Sequence, residues 1–227
     1  MDNRIEKLLD FINGSKSVYH AVDLLCKELE GAGYERIFEN QSWDVKPGGK
    51  YFLTRNNSSV VAFRIPTETP AGFMMSASHS DRPTFKVKEN GELTGTYTRL
   101  AVERYGGMIM STWMDRPLSL AGRVIVASET GSITSPKVML MRINRPIATI
   151  PNLAIHFNRQ VNDGVALSKQ KDMLPVITAG NMCLNEKQAK YGILKALISD
   201  ELGIAPEQIL DFDLYLYDTT PAQRVGL

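Results

Sequence analysis

The sequence runs to 227 residues and carries 26 Lys and Arg against 25 Asp and Glu, a net charge of +1. So even a balance, with no basic block, builds no long-range field for nucleic acid or an anionic membrane, and Cys26 and Cys183, the two cysteines, lie far apart, match no zinc or redox spacing and point to no disulfide framework. A hydrophobic share of 43% and a charged share of 22% suit a globular protein with a core of useful size, whose partners are small molecules, peptides or further copies of itself.

The opening residues, Met1-Asp2-Asn3-Arg4-Ile5-Glu6, carry acids and no apolar stretch of the kind a signal peptide needs. No apolar run approaches the roughly 18 residues required to cross a bilayer. The expected setting is the reducing cytoplasm. Residues 4–12 and 17–30 are expected helices. In the second, Val18, Ala21, Val22, Leu25, Cys26 and Leu29 recur at helical spacing along one face. Ser17 is its expected N-cap and Gly31 its stop. Residues 51–55 and 60–65 are expected strands joined by Asn56-Asn57-Ser58-Ser59. Residues 72–78, Gly-Phe-Met-Met-Ser-Ala-Ser, make a run of apolar and small residues. That pattern predicts a strand buried on both faces at the centre of an α/β sheet.

Beyond Pro83 the pattern turns mainly β. Residues 84–88 and 92–98 surround Asn90-Gly91, a hairpin signal. Residues 120–128 and 137–143 flank a turn at Glu129-Thr130-Gly131-Ser132, and residues 152–157 and 173–178 are further strand candidates. A single helix is expected over 186–201, capped by Asn185 and stopped by Gly203. Residues 211–217 alternate as a half-buried strand does. The methionines at 74, 75, 108, 110, 139 and 141 are expected to fill the core.

His79-Ser80-Asp81 is the sharpest local signal, because it follows the run at 72–78. Ligands bind at the carboxyl edge of open α/β sheets. A neutral imidazole is a good zinc ligand, and an acid two residues on can orient it. The competing reading is a surface turn in which Asp81 accepts backbone hydrogen bonds. His156 follows an apolar stretch and reads equally as a core or edge histidine. His20 falls in the first turn of a helix, at the margin of its buried face. Trp113 with Asp115-Arg116 could form a substrate cradle, but packing and a satisfied ion pair explain it as well. Tyr105-Gly106-Gly107 lacks the spacing of a phosphate loop and reads as a bend.

Seven stretches in one order carry a resemblance. They are Ser17-Val18-Tyr19-His20, Ala77-Ser78-His79-Ser80-Asp81-Arg82-Pro83, Val102-Glu103-Arg104-Tyr105-Gly106-Gly107, Ser111-Thr112-Trp113-Met114-Asp115-Arg116-Pro117-Leu118, Leu120-Ala121-Gly122-Arg123-Val124, Ile150-Pro151-Asn152-Leu153-Ala154-Ile155-His156 and Leu216-Tyr217-Asp218-Thr219. Together they resemble the aspartyl aminopeptidase and aminopeptidase I family of dinuclear zinc exopeptidases. The resemblance implies an α/β fold: a zinc-exopeptidase catalytic domain of mixed sheet and helices, interrupted by a β-rich dimerisation domain. Residues 1–85 would begin the catalytic domain. Residues 86–218 would be the inserted domain with its one helix, and residues 219–227 the start of the return.

The resemblance further implies that His79 is a zinc ligand, that Asp81 is the acid positioning the site beside it, and that His156 reaches a neighbouring subunit's active site to steady the tetrahedral intermediate. Two zinc ions per site, peptide substrates, and dimers that build a dodecamer belong to the same expectation. In the family the remaining metal ligands, a Glu-Glu pair among them, follow the inserted domain. This sequence has no Glu-Glu dipeptide and stops at Arg224-Val225-Gly226-Leu227, so most of the ligands are expected beyond it. Arg82 stands where a small residue is usual, and Asn152 where some relatives have another His. The expected function is zinc-dependent removal of N-terminal residues from peptides, acidic ones among them. The alternative is a catalytically incomplete assembly module.

Overall fold

Helices α1 (Asn3–Gly14) and α2 (Val18–Gly31) lead into a small sheet of β1 (Glu35–Arg36), β2 (Lys50–Arg55) and β3 (Ser59–Arg64). The computed structural model describes residues 3–128, 135–179 and 184–226. By its internal contacts the chain divides into two units, Met1–Arg82 with Ala222–Leu227, and Pro83–Pro221.

In the first unit the sheet is mixed: β1 runs parallel to β2, and β3 antiparallel to it. Asn56 and Asn57 take φ of 54° and 52°, and the Ser58 N–H donates to the Arg55 carbonyl at 3.1 Å. Two consecutive left-handed residues give a primed turn, whose twist matches the flanking strands. Ser17 caps α2, its Oγ accepting the His20 N–H at 3.4 Å. The helix runs through Gly31 rather than stopping there. Ala32 closes it, and the left-handed residue is Gly33, at φ 78°. Val22, Cys26 and Phe52 form the local core, with Leu29, Tyr34 and Val60 packed against them.

Residues 72–78 do not form the expected buried strand. They are irregular and exposed, and Phe73, Met74 and Met75 are 93%, 102% and 88% accessible. A strand buried on both faces needs hydrogen-bonded neighbours and a covering layer. Among the described residues this run pairs with no strand, so Met74 and Met75 fill no core.

The second unit is built on β4 (Thr84–Leu93), β5 (Tyr97–Tyr105), β6 (Leu118–Val126), β7 (Lys137–Arg142), β8 (Val176–Ala179) and β9 (Ile209–Asp218). These form one antiparallel sheet in the order β7-β6-β9-β4-β5-β8. Alternate residues face the core: Phe85 and Val87, Leu100 and Val102, Leu118, Leu120 and Val124, Leu214 and Leu216. Each such side chain contributes roughly 1.5–3 kcal/mol by leaving water. Met141 is buried, and Met108, Met110 and Met139 pack against the same cluster. The opposite face carries charged residues such as Lys86, Arg123 and Asp213. The Asp213 carboxylate lies between Lys86 Nζ at 2.6 Å and Arg123 Nη2 at 2.8 Å.

Three expectations change in this unit. Asn90-Gly91 is no hairpin turn. Strand β4 continues through it as an irregularity between Val87 and Glu92, and neither residue takes the positive φ a primed turn requires. Residues 152–157 form no strand but an irregular stretch with a turn at 155–157. The expected single helix is two, α3 (Glu186–Tyr191) and α4 (Ile193–Leu202). Gly192 breaks them at φ 86°, where a Cβ would lie 2.7 Å from Glu92 Oε1. The Glu92 carboxylate accepts the N–H groups of Ile193 at 3.0 Å and Leu194 at 2.7 Å, so it caps α4 from a distant strand. Asn185 caps α3 in a reciprocal box with Gln188, and Gly203 ends α4 in the left-handed conformation.

Trp113 packs edge-on against Phe85, with centroids 5.5 Å apart. Asp115 and Arg116 each find another partner than the other. Asp115 accepts the Asn152 N–H at 2.8 Å, and Arg116 pairs with Asp218 at 2.6 Å. The turn expected at 129–132 and Cys183 lie outside the described residues.

Candidate metal-binding site

The loop from His79 to Arg82 is tied down on both sides of its imidazole. Ser80 Oγ donates to the Ser58 carbonyl at 2.8 Å, in the turn between β2 and β3. The Arg82 guanidinium donates to the carbonyls of Ser15 and Lys16, the second at 2.6 Å, between α1 and α2. Carbonyls just past a helix end lack intrahelical partners, and a guanidinium fork is shaped to take two acceptors. These ties explain why a large, charged Arg82 is accommodated next to the histidine. In the sequence alone Arg82 stands only as a departure from the family pattern. The carbonyls it serves are more than sixty positions away in the chain, and no local pattern reveals them.

Within that frame His79 Nδ1 lies 2.8 Å from Asp81 Oδ1. The His79 side chain is 91% exposed and that of Asp81 30%. A carboxylate on Nδ1 fixes the ring's orientation and, by taking the Nδ1 proton in a hydrogen bond, leaves Nε2 as the lone-pair nitrogen. Nε2 is then the atom a metal ion would meet. The pair therefore fits one corner of a zinc site. Zinc takes four ligands or more, and among the described residues no group of three or more His, Cys, Asp and Glu gathers to complete one.

His156 belongs to the second unit. It sits in an exposed turn where the Phe157 N–H donates to the Ala154 carbonyl at 2.8 Å. Around it Leu153, Ile155 and Phe157 are 61%, 47% and 81% accessible, so it is neither a core nor an edge-strand histidine. His20 is half-buried, and its Nδ1 lies 2.8 Å from Ser17 Oγ, which assigns it to the helix cap. The structure thus joins His79 to Asp81 and leaves His156 in the other unit.

Residues 11–227 match the family described as Aminopeptidase I zinc metalloprotease (M18). A probable M18 family aminopeptidase 2 of Clostridium novyi is 40% identical over 234 aligned positions, covering 100% of this chain and 53% of the relative. A chain in the cryo-EM structure of the Ape4 and Nbr1 complex superposes with a TM-score of 0.89 at 34% identity, over 97% of this chain and 45% of that one. The structure of Chaetomium thermophilum mApe1 superposes with a TM-score of 0.85, also at 34% identity, over 98% of this chain and 52% of that one. The chain spans about half the length of the curated relatives it matches. With the family matched over nearly the whole chain and the fold shared with relatives at this identity, the chain belongs to the M18 family of aminopeptidase I zinc metalloproteases.

Proposed function

We propose that this chain contributes part of the active site and an assembly domain to a zinc aminopeptidase that removes N-terminal residues, acidic ones among them, from peptides in the cytoplasm. In this reading residues 1–85 open the catalytic domain, residues 86–218 are the inserted dimerisation domain, and residues 219–227 begin the return. The observation that carries it is the His79–Asp81 hydrogen bond of 2.8 Å on a loop anchored through Ser80 and Arg82. His79 Nε2 is a metal ligand of a two-zinc site. Zinc, when bound, supplies Lewis-acid polarisation of the scissile carbonyl. Asp81 holds the imidazole in the ligating tautomer. His156 acts in a neighbouring subunit, donating a hydrogen bond to the oxyanion as it forms. The exposed apolar residues beside it, Leu153, Ile155 and Phe157, support the view that a second copy covers this turn. Dimers assembling into a dodecamer complete the proposal.

The test is zinc content and aminopeptidase turnover of the full-length gene product. His79→Ala is expected to lose zinc and turnover together. His156→Ala is expected to keep its zinc and lose about 100-fold or more in kcat, the usual effect of removing an oxyanion donor. Comparing aspartyl, glutamyl and leucyl anilides reads the acidic preference. A full-length protein without zinc would sink the proposal.

A second reading takes the chain on its own as a catalytically incomplete assembly module. It is favoured by the lack, among the described residues, of a three-donor cluster around His79. Sizing chromatography and turnover of the 227-residue chain separate the two readings. A stable oligomer without turnover supports the module, and turnover by this chain alone excludes it.

A further inference from the structure

The second unit contains a pocket of about 740 Å³ that no part of the proposed peptidase chemistry uses. Its volume falls within the range of small-molecule sites, roughly 300–1,000 Å³. Its floor is apolar and reaches the buried core at Leu100, Leu120 and Leu194. Two guanidiniums line it, Arg116 and Arg145. Arg116 is already anchored, with Nη1 on Asp218 Oδ2 at 2.6 Å and Nε on the Thr112 carbonyl. Arg145 has no ion-pair partner among the described residues. Asp115 is the single acid among the described lining residues, and its Oδ1 is occupied by the Asn152 N–H.

An apolar floor under an unpaired guanidinium selects a ligand that is apolar along its body and singly negative at one end. We propose that this pocket binds an apolar monocarboxylate. The carboxylate pairs with Arg145, and the hydrocarbon body lies on Leu100, Leu120 and Leu194. A bare phosphate or sulfate would leave the apolar floor unused. A neutral hydrocarbon would leave Arg145 unpaired beside a partly desolvated surface, where a charge-assisted bond is strong. The same chemistry occurs in a medium-chain fatty acid and at the carboxyl end of a short apolar peptide.

Isothermal titration of the full-length protein with decanoate, decanol and acetyl-Leu-Leu tests this. Decanoate or acetyl-Leu-Leu is expected to bind saturably, and decanol about tenfold more weakly than decanoate, the effect of losing one charge-assisted hydrogen bond. The tighter of the two carboxylates identifies the source. Arg145→Gln is expected to weaken the carboxylates about tenfold and leave decanol unchanged. Ala179→Trp, an exposed position on the pocket lining, is expected to block all three by filling the mouth. Absence of saturable carboxylate binding by the unsubstituted protein overturns the proposal, as does carboxylate affinity unchanged in both variants. Zinc content and aminopeptidase turnover do not enter these readouts, so failure here is distinct from failure of the peptidase reading.

Discussion

The two units differ in how much of their own apolar surface they bury. In the second, eighteen described residues form one continuous buried cluster across β4, β5, β6 and β9 and under α4. In the first, the cluster is Val22, Cys26 and Phe52. Ile5, Leu8 and Ile12 recur on one side of α1, and all three are exposed, as are Phe73, Met74 and Met75. Antiparallel strands joined by short connections find partners close in sequence and can close a core locally. Among the described residues the strand-like run at 72–78 pairs with no such neighbour. The exposed side chains of Phe73, Met74 and Met75 immediately precede the His79 loop in the chain.

That contrast can be broken by mutation. Leu214 is fully buried at the centre of the second unit. Leu214→Ala is expected to cost about 3–4 kcal/mol, lost transfer energy plus a cavity, read as a lowered urea midpoint for that unit. Glu92→Ala removes the carboxylate that caps α4, and about 1–2 kcal/mol is expected from the unsatisfied helix N–H groups. Glu92→Gln should recover part of that, because an amide oxygen still accepts. Phe73→Ser, at a side chain 93% accessible, is expected to shift the first unit's stability by no more than about 0.5 kcal/mol while lowering binding of a hydrophobic dye. Were Phe73→Ser to cost as much as Leu214→Ala, the contrast between the units would be wrong.

Much of the local architecture is legible because its causes are local. Ser17 and Asn185 carry a side-chain acceptor at a helix start, and Asn56-Asn57 supply two residues that tolerate left-handed backbone. The alternation in residues 211–217 lies within the central strand β9, where Leu214 and Leu216 enter the main core on one face and Tyr215 and Tyr217 are buried on the other. Where the cause is distant, the local pattern points the wrong way. Gly192 sits in a run of helix formers, and only the Glu92 carboxylate arriving from β4 shows why the helix must restart there. Asn90-Gly91 has the composition of a turn but the register of an irregularity within one strand.

The candidate site divides in the same way. The His-Ser-Asp spacing makes an oriented imidazole legible, since two side chains two positions apart can meet on one loop, and the structure shows His79 and Asp81 2.8 Å apart. What holds that loop is decided by residues 22 and 66 or more positions away, the Ser58 carbonyl on one side and those of Ser15 and Lys16 on the other. By itself the sequence determined helices α1 and α2, most of the strands, the family and the imidazole–carboxylate pair, all of which follow from patterns along the chain. Only the tertiary structure decided that residues 72–78 stand exposed, that one helix is two, and that an apolar pocket is edged by Arg145, a guanidinium without an ion-pair partner among the described residues. Burial and hydrogen-bond partnership across tens of residues are properties of packing, and a one-dimensional pattern does not contain them.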